Sequence, residues 1–398
     1  MSFGKNIVIL SVTTGKIQLF SLLEKIKLFH SDSFFVLVSN GCSPELNREI
    51  TAQMPVNSHL ITLEENCGGS GGFAAGMEYF LKHCPDHQRL YLCDDDAVIN
   101  SETLKNLSAA ADAFEEKGIP WGACVSAIET AETPGFLTEC GSYVRRFSGR
   151  FGSKYAGARI EELPAEPFET EYCAATSLLI SRNALQKTGT FDRNIFIHFD
   201  DVDWSFRCRK AGFPLFAVPD SVIRHPSRIS KAATIVRYYD AANVIWFFKK
   251  HLPLFLSGVL SGQLSRVIYF SLHGFKDTAK LYSKGISDGL KSNTRLRPHQ
   301  LKTEEYIDFT MTANPGRLFI FCSAANLEMG KALLPDAHTL LLPKNKIQRL
   351  LKNIWVWLTA RKNFNEIVID DDFKSVFILP FPGYKTIYWN IYSKQIRK

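Results

Sequence analysis

Three adjacent carboxylates, Asp94-Asp95-Asp96, close an apolar run, Leu90-Tyr91-Leu92-Cys93, and follow a glycine-rich segment that extends from Asn66 to Gly76. Carboxylates at that spacing repel one another, and a fold tolerates them most easily around a divalent cation. The short apolar run reads as a buried strand, so the triplet sits where that strand leaves its sheet. Open α/β sheets bind ligands outside the carboxyl ends of their strands. Gly68, Gly69, Gly71 and Gly72 let the backbone approach a diphosphate closely. Together these features suggest chemistry on a sugar nucleotide. Two other readings stand beside this one. Asp-Asp-Asp at a strand end is also an ordinary solvated turn. Gly69-Ser70-Gly71-Gly72-Phe73-Ala74 also has the G-x-G-x-x-A form of a dinucleotide fingerprint, with Asp94 where the ribose-binding acid is expected. A ribose needs one acid rather than three, however, and the fingerprint follows the third strand-like segment rather than the first.

A second constellation lies between Phe196 and Gly212. Asp203 and Arg207 have helical i,i+4 spacing and can pair, stiffening a helix that carries Asp200 and Asp201 at its start. A carboxylate held there can take a proton from a hydroxyl. An acidic N-terminus stabilised only by the helix dipole is the plainer account. Further on, Ala217 to Arg224 reads as a strand ending in His225, and imidazole suits Mn²⁺ beside carboxylates.

The elements that position these groups follow from hydrophobic period. Strands are expected at 6–12, 33–39, 59–63 and 89–93, alternating with helices at 17–29, 44–54 and 73–83; Asn40-Gly41 is a turn. Such alternation implies an α/β fold with a mostly parallel, doubly wound sheet. Ser101 is expected to cap a helix to Lys117, and further strands and loops reach residue 240. Residues 241–300 read as helices, Arg297-Pro298 as a linker, and 301–398 as a small α/β unit. In that last unit strands are expected at 317–322 and 338–342, and helices at 324–334 and 345–361. A second triplet, Asp370-Asp371-Asp372, lacks a glycine segment before it and reads as a surface turn.

The chain has 398 residues, 45% hydrophobic and 22% charged, enough for two domains and a large core. Nine scattered cysteines without a C-x-x-C argue for reduced thiols in a cytoplasm and against a zinc module. Met1 to Leu10 runs directly into a strand, with no secretory h-region. The net charge is +7, and residues 245–302 alone carry ten basic side chains against Asp277 and Asp288. That stretch is also apolar and aromatic, but no run reaches the roughly 18 residues of a spanning helix. Basic amphipathic helices of this kind suit the surface of an anionic membrane, or form a solvated face.

Taken in order, these motifs resemble an inverting GT-A glycosyltransferase of the large bacterial family that includes galactofuranosyl- and rhamnosyltransferases. The similarity spans roughly residues 6–290, and the Asn66 to Gly76 segment is most like galactofuranosyltransferases. The resemblance implies a Rossmann-like catalytic domain over 1–240, a helical tail over 241–300, and an unassigned α/β unit over 301–398. It implies a D-x-D motif on Asp94 and Asp96, with His225 as third ligand of Mn²⁺ or Mg²⁺. Asn66, Gly68, Gly69, Gly71, Gly72, Asp94 and Asp95 would meet the donor. Asp201 would be the base, with Asp200 beside it and Asp203 and Arg207 bracing it. The implied partners are a nucleotide-sugar donor, UDP-linked, and a glycan or lipid-linked glycan acceptor. The setting would be surface polysaccharide (O-antigen) synthesis on the inner face of the cytoplasmic membrane, with no nucleic acid. Two places depart from the family. Ser39 stands where members carry an Asp that contacts uracil, and Val12-Thr13-Thr14-Gly15-Lys16 replaces the usual Thr-Tyr-Asn-Arg. A dinucleotide-dependent oxidoreductase and a non-catalytic scaffold of a polysaccharide assembly complex are the alternatives.

Overall fold

The computed structural model describes residues 6–15, 17–131, 134–226, 236–272 and 274–292, and beyond them 306–308, 317–321, 324–342, 348, 351–352, 354–356, 364, 366–370, 385–390 and 395–397. The expected linker at Arg297-Pro298, residues 371–372 of the second triplet, and much of the helix expected at 345–361 lie outside them.

The first unit follows the alternation in the sequence: β1 (Ile7–Thr13), α1 (Gln18–Phe29), β2 (Phe34–Asn40), α2 (Pro44–Gln53), β3 (Ser58–Leu63), α3 (Gly68–His83), β4 (Arg89–Asp94), α4 (Ser101–Glu116) and β5 (Ala123–Thr130). Short strands β6 (Leu137–Glu139), β7 (Ser142–Arg145), β8 (Arg150–Ser153) and β9 (Phe168–Thr170) lead to β10 (Ser177–Ser181) and α5 (Arg182–Thr188). The unit closes with α6 (Asp200–Lys210) and β11 (Leu215–His225). The large sheet has the order β3-β2-β1-β4-β10-β5-β11-β9, with β6 on β5. Strands β1 to β5 and β11 point the same way, while β10 runs antiparallel between β4 and β5. The sheet is therefore mainly parallel, and its carboxyl ends gather along one edge.

Period-two alternation buries both faces. Val8 and Leu10 of β1 pack with Phe73, Met77 and Phe80 of α3, while Ile7 and Ile9 pack with Leu19, Leu22 and Leu23 of α1. Across the sheet a chain of buried hydroxyls, Tyr91–Ser177–Ser126–Ser221, links β4, β10, β5 and β11 at 2.7–2.9 Å. Each of these hydroxyls thus has a partner, as burial demands.

Two local expectations are corrected. Helix α4 is capped by Asn100, whose side chain accepts from the Glu102 and Thr103 N–H groups at 2.9 and 3.0 Å. Ser101 is its first residue rather than its cap, because Asn100 in the extended conformation places its oxygen over two orphan donors. Helix α3 starts at Gly68 rather than Phe73. Glycine is a poor helix former, but here tertiary packing wins. A Cβ on Gly72 would come within 2.4 Å of Val12 and one on Gly76 within 2.2 Å of Leu10, so the missing side chains let α3 lie flat on β1.

Helices α7 (Val236–His251), α8 (Leu256–Leu272) and α9 (Lys276–Leu290) follow, then β12 (Tyr306–Asp308), β13 (Arg317–Phe321), α10 (Ala324–Leu333), β14 (His338–Leu341), β15 (Glu366–Asp370), β16 (Lys385–Asn390) and β17 (Gln395–Arg397). The last six strands form a second sheet, β12-β17-β16-β15-β13-β14. Its Leu318, Ile320 and Ile367 share a core with Phe270, Phe275 and Tyr282 of the helical region. Among the described residues no helix is long and apolar enough to cross a membrane.

Candidate active site

The carboxyl-end edge collects the candidate groups. Asp94 is the last residue of β4, paired with Val12. Val98 bridges back to Arg224 of β11 through two backbone hydrogen bonds of 2.8 and 3.1 Å, which pins the triplet beside His225. The His225 Nε2 lies 2.9 Å from Asp96 Oδ1 and 3.5 Å from Asp94 Oδ2. One ligand atom from each of Asp94, Asp96 and His225 falls within 4.8 Å of the others. Two carboxylate oxygens and an imidazole nitrogen suit Mn²⁺ or Mg²⁺, so the donor set fits such an ion. Asp95 is buried and accepts from Thr13 Oγ1 at 2.8 Å. Thr13, the last residue of β1 and part of the altered segment, thus anchors the middle carboxylate.

The segment entering β10 carries the geometry onward. Thr176 accepts from the Asp94 N–H at 3.2 Å, and the Ala175 N–H donates to Asp201 Oδ2 at 3.2 Å. Asp201 Oδ1 accepts from the Val202 N–H at 2.8 Å, so both of its oxygens are oriented by backbone donors. Asp200 beside it is buried. Burial first, then the charges of Asp201 and Asp94, push its carboxyl up to about 8. Residues 175 and 176 thus join the two acidic constellations of the sequence.

The start of α6 is held by more than the expected pair. Arg207 Nε meets Asp203 Oδ2 at 2.8 Å, and its other nitrogens donate to the Thr188 and Thr190 carbonyls at 2.6 and 2.9 Å. Asp203 is fully buried and also meets Lys250 Nζ at 2.7 Å and His251 Nε2 at 2.8 Å. Burial alone would raise its carboxyl, but His251, Arg207 and Lys250 outweigh that and hold it at about 2. Just before the helix, His198 and Phe199 both adopt left-handed backbone, φ 64° and 73°. Such residues cost energy and persist only when their surroundings enforce them. Here Asn243 donates to the Ile197 and His198 carbonyls at 2.8 and 3.0 Å, and His198 Nδ1 pairs with Asp240 at 2.8 Å. Asp240, Asn243, Lys250 and His251 all lie on α7 or its last turn. The sequence marks Asn243, Lys250 and His251 only as part of an amphipathic helical region and leaves Asp240 outside it, and nothing local reveals which strand-end loop they reach.

The glycine segment divides by role. Asn66 Oδ1 accepts from the Gly68 N–H at 2.8 Å, and Asn40 Oδ1 accepts from the Cys67 N–H at 2.8 Å while its amide donates to the Gly68 carbonyl at 2.9 Å. Asn40, read from sequence only as a turn, ties the segment to the end of β2. Gly68 has φ +76°, and a Cβ there would fall 1.8 Å from the Phe196 carbonyl oxygen. A Cβ on Gly71 would meet that of Cys67 at 2.6 Å, whereas one on Gly69 would meet nothing within 4 Å. Gly68→Ala is accordingly expected to destabilise the fold by more than about 1 kcal/mol, and Gly69→Ala to leave it within about 0.5 kcal/mol of wild type. Urea unfolding of the two variants checks this; equal midpoints would contradict it. Ser39 is buried, and its hydroxyl donates to Asn47 Oδ1 at 2.5 Å, so the residue in place of the family's Asp is engaged with α2.

Residues 12–238 match the family model described as glycosyltransferase like family 2. The chain belongs to that family. It is a glycosyltransferase-family chain with a GT-A type α/β fold, and neither alternative class is favoured. One curated relative, the dTDP-rhamnosyl transferase RfbF of Shigella flexneri, is 23% identical over 245 residues, covering 58% of this chain and 76% of that protein. Among solved structures, the mannosyltransferase PcManGT of Pyrobaculum calidifontis, in complex with GDP-Man and Mn²⁺, aligns with TM-score 0.45 at 12% identity over 73% of this chain and 88% of that one. GalNAc-T7 with UDP, GalNAc and Mn²⁺ aligns with TM-score 0.45 at 11% identity over 73% of this chain and 57% of that one.

Proposed function

We propose that this glycosyltransferase moves a sugar, with inversion, from a nucleoside diphosphate donor to a hydroxyl of a glycan or lipid-linked glycan in surface polysaccharide synthesis. The observation that carries this reading is the link through residues 175 and 176. It sets the Asp201 carboxylate beside the Asp94, Asp96 and His225 cluster. Asp94, Asp96 and His225 would hold Mn²⁺ or Mg²⁺, and the bound cation supplies Lewis acidity for the departing nucleoside diphosphate. Asn66, Gly68, Gly69 and Gly71 border the donor, and Gly72, with Gly76, keeps α3 close on β1 and leaves room for it. Asp95 supports the cluster from below through Thr13. Asp201 takes the proton of the acceptor hydroxyl, whose oxygen bonds to the anomeric carbon as the bond to the diphosphate oxygen breaks on the opposite face. Asp203 and Arg207 act as positioning residues, and Asp200 lies beside the base.

The segment Asn66 to Gly76 favours galactofuranose from a UDP-linked donor. Rhamnose from a dTDP-linked donor is the second reading, favoured by the rhamnosyl transferase relative and by Ser39 at the place of the uracil-contacting acid. Residues 1–240 form the catalytic unit in this reading, and the basic region 241–300 brings it to a lipid-borne acceptor at the inner face of the membrane.

Calorimetric titration with UDP, dTDP, GDP and NAD⁺, each with and without Mn²⁺, tests the reading. One nucleoside diphosphate is expected to bind only with Mn²⁺. His225→Ala is expected to weaken Mn²⁺ binding by at least the about 10- to 100-fold that loss of an outer-shell partner costs. Metal-independent NAD⁺ binding, or unchanged Mn²⁺ affinity in His225→Ala, would overturn it.

A further inference from the structure

Many of the apolar and aromatic residues that make residues 245–270 look membrane-seeking are core. Ile245, Phe247, Phe248, Tyr269 and Phe270 are buried. What remains outside is a different set. On α8 the buried side is formed by Val259, Gln263, Tyr269 and Phe270. The opposite side presents Leu264, Ile268 and Leu272, one turn apart and 52%, 60% and 63% exposed, with Ser257, Ser261 and Ser265 beside them. This solvent face carries no charge, and the single charged residue of the helix, Arg266, lies off it, its guanidinium 6.0 Å from the Tyr282 ring. A surface helix ordinarily turns charged residues outward.

The apolar surface continues past the end of the helix. Leu254 is 89% exposed just before α8, and Phe147 is 85% exposed with its ring 5.0 Å from that of Phe255. The turn bearing Phe147 is seated on α8, since a Cβ on Gly258 would fall 2.0 Å from the Phe147 carbonyl oxygen. Exposed lysines follow on α9, where Lys276 comes four residues after Leu272 and Lys280 has 78% of its side chain exposed.

We propose that the α8 face, with Leu254 and Phe147, is the surface by which this chain sits on an anionic lipid layer. The proposal deepens the reading of a lipid-borne acceptor given above and rests on it. Leucine, isoleucine and phenylalanine enter the headgroup boundary, serines lose little on entering it, and the lysines stay among anionic headgroups. A second copy is the poorer occupant. The exposed Lys276 and Lys280 beside the face favour an anionic layer over a second copy, which would bring only the same lysines.

The full chain is tested by co-sedimentation with vesicles of phosphatidylcholine alone and of phosphatidylcholine with phosphatidylglycerol. Wild type is expected to pellet with the mixed vesicles, less so at high salt. The triple variant Leu264→Glu, Ile268→Glu, Leu272→Glu is expected to lose at least about tenfold in partitioning. Its melting temperature and Mn²⁺-dependent nucleotide binding should stay unchanged. Equal pelleting of both proteins would overturn the proposal while leaving the transferase reading intact. A wild-type dimer in light scattering that the triple variant dissolves would assign the face to a second copy instead. Vesicle binding by a chain that takes no nucleotide would keep the surface and remove the transferase reading.

Discussion

Asp201→Asn is expected to lower turnover by about 10²- to 10⁴-fold, the usual cost of removing a general base, while nucleotide binding stays at the wild-type level. The substitution is nearly isosteric. An amide oxygen can still accept from Val202 or Ala175, whose N–H groups orient the carboxylate, so the fold has little to lose. What it removes is a site that accepts the acceptor's proton. Release of nucleoside diphosphate from the donor identified by titration, followed under saturating conditions, measures the effect. Wild-type turnover in the variant would remove Asp201 from the role of base and turn attention to Asp200, which shares the site.

The second large effect concerns stability. Asp203→Ala removes the one carboxylate that Arg207, Lys250 and His251 all contact at 2.7–2.8 Å in a fully buried position. Breaking a buried ion pair from one side costs about 3–5 kcal/mol, a large share of the about 5–15 kcal/mol by which domains are stable. A shift of the urea midpoint with unchanged slope would report it, and an unshifted midpoint would show that the network adds nothing. The same residue makes a prediction about pH. Its folded carboxyl is held at about 2, below the about 3.9 of an unfolded chain, so the unfolded state binds the proton more tightly between those values. The stabilisation is complete above about pH 4 and is lost as pH falls through about 2. Asp203→Ala should lack that part of the acid transition.

Much of the site was legible because its parts are local. Strand period placed Asp94 at a strand end and His225 at another, and i,i+4 spacing paired Asp203 with Arg207. Such features depend on a few neighbouring residues, and the repulsion within Asp94-Asp95-Asp96 is itself a property of the string. The glycines were read as places where the backbone approaches a donor, and two of the segment's glycines have a packing role that the sequence did not reveal. Gly72 and Gly76 are small because of Val12 and Leu10 in a strand some sixty residues earlier, roughly.

The sequence by itself determined the α/β alternation, the carboxylates and imidazole available for a cation, and the acidic start of α6. Only the tertiary structure decided that they lie together. Strand β10 inserts antiparallel between β4 and β5, and its entering residues join Asp94 to Asp201. Asn40 ties the glycine segment to β2, and α7 brings Lys250 and His251 to Asp203. Hydrophobic period states which side of a strand or helix is buried. It carries no information about which other element will bury it, because any apolar face of suitable shape satisfies the same burial, and that choice is made by the packing of the whole chain.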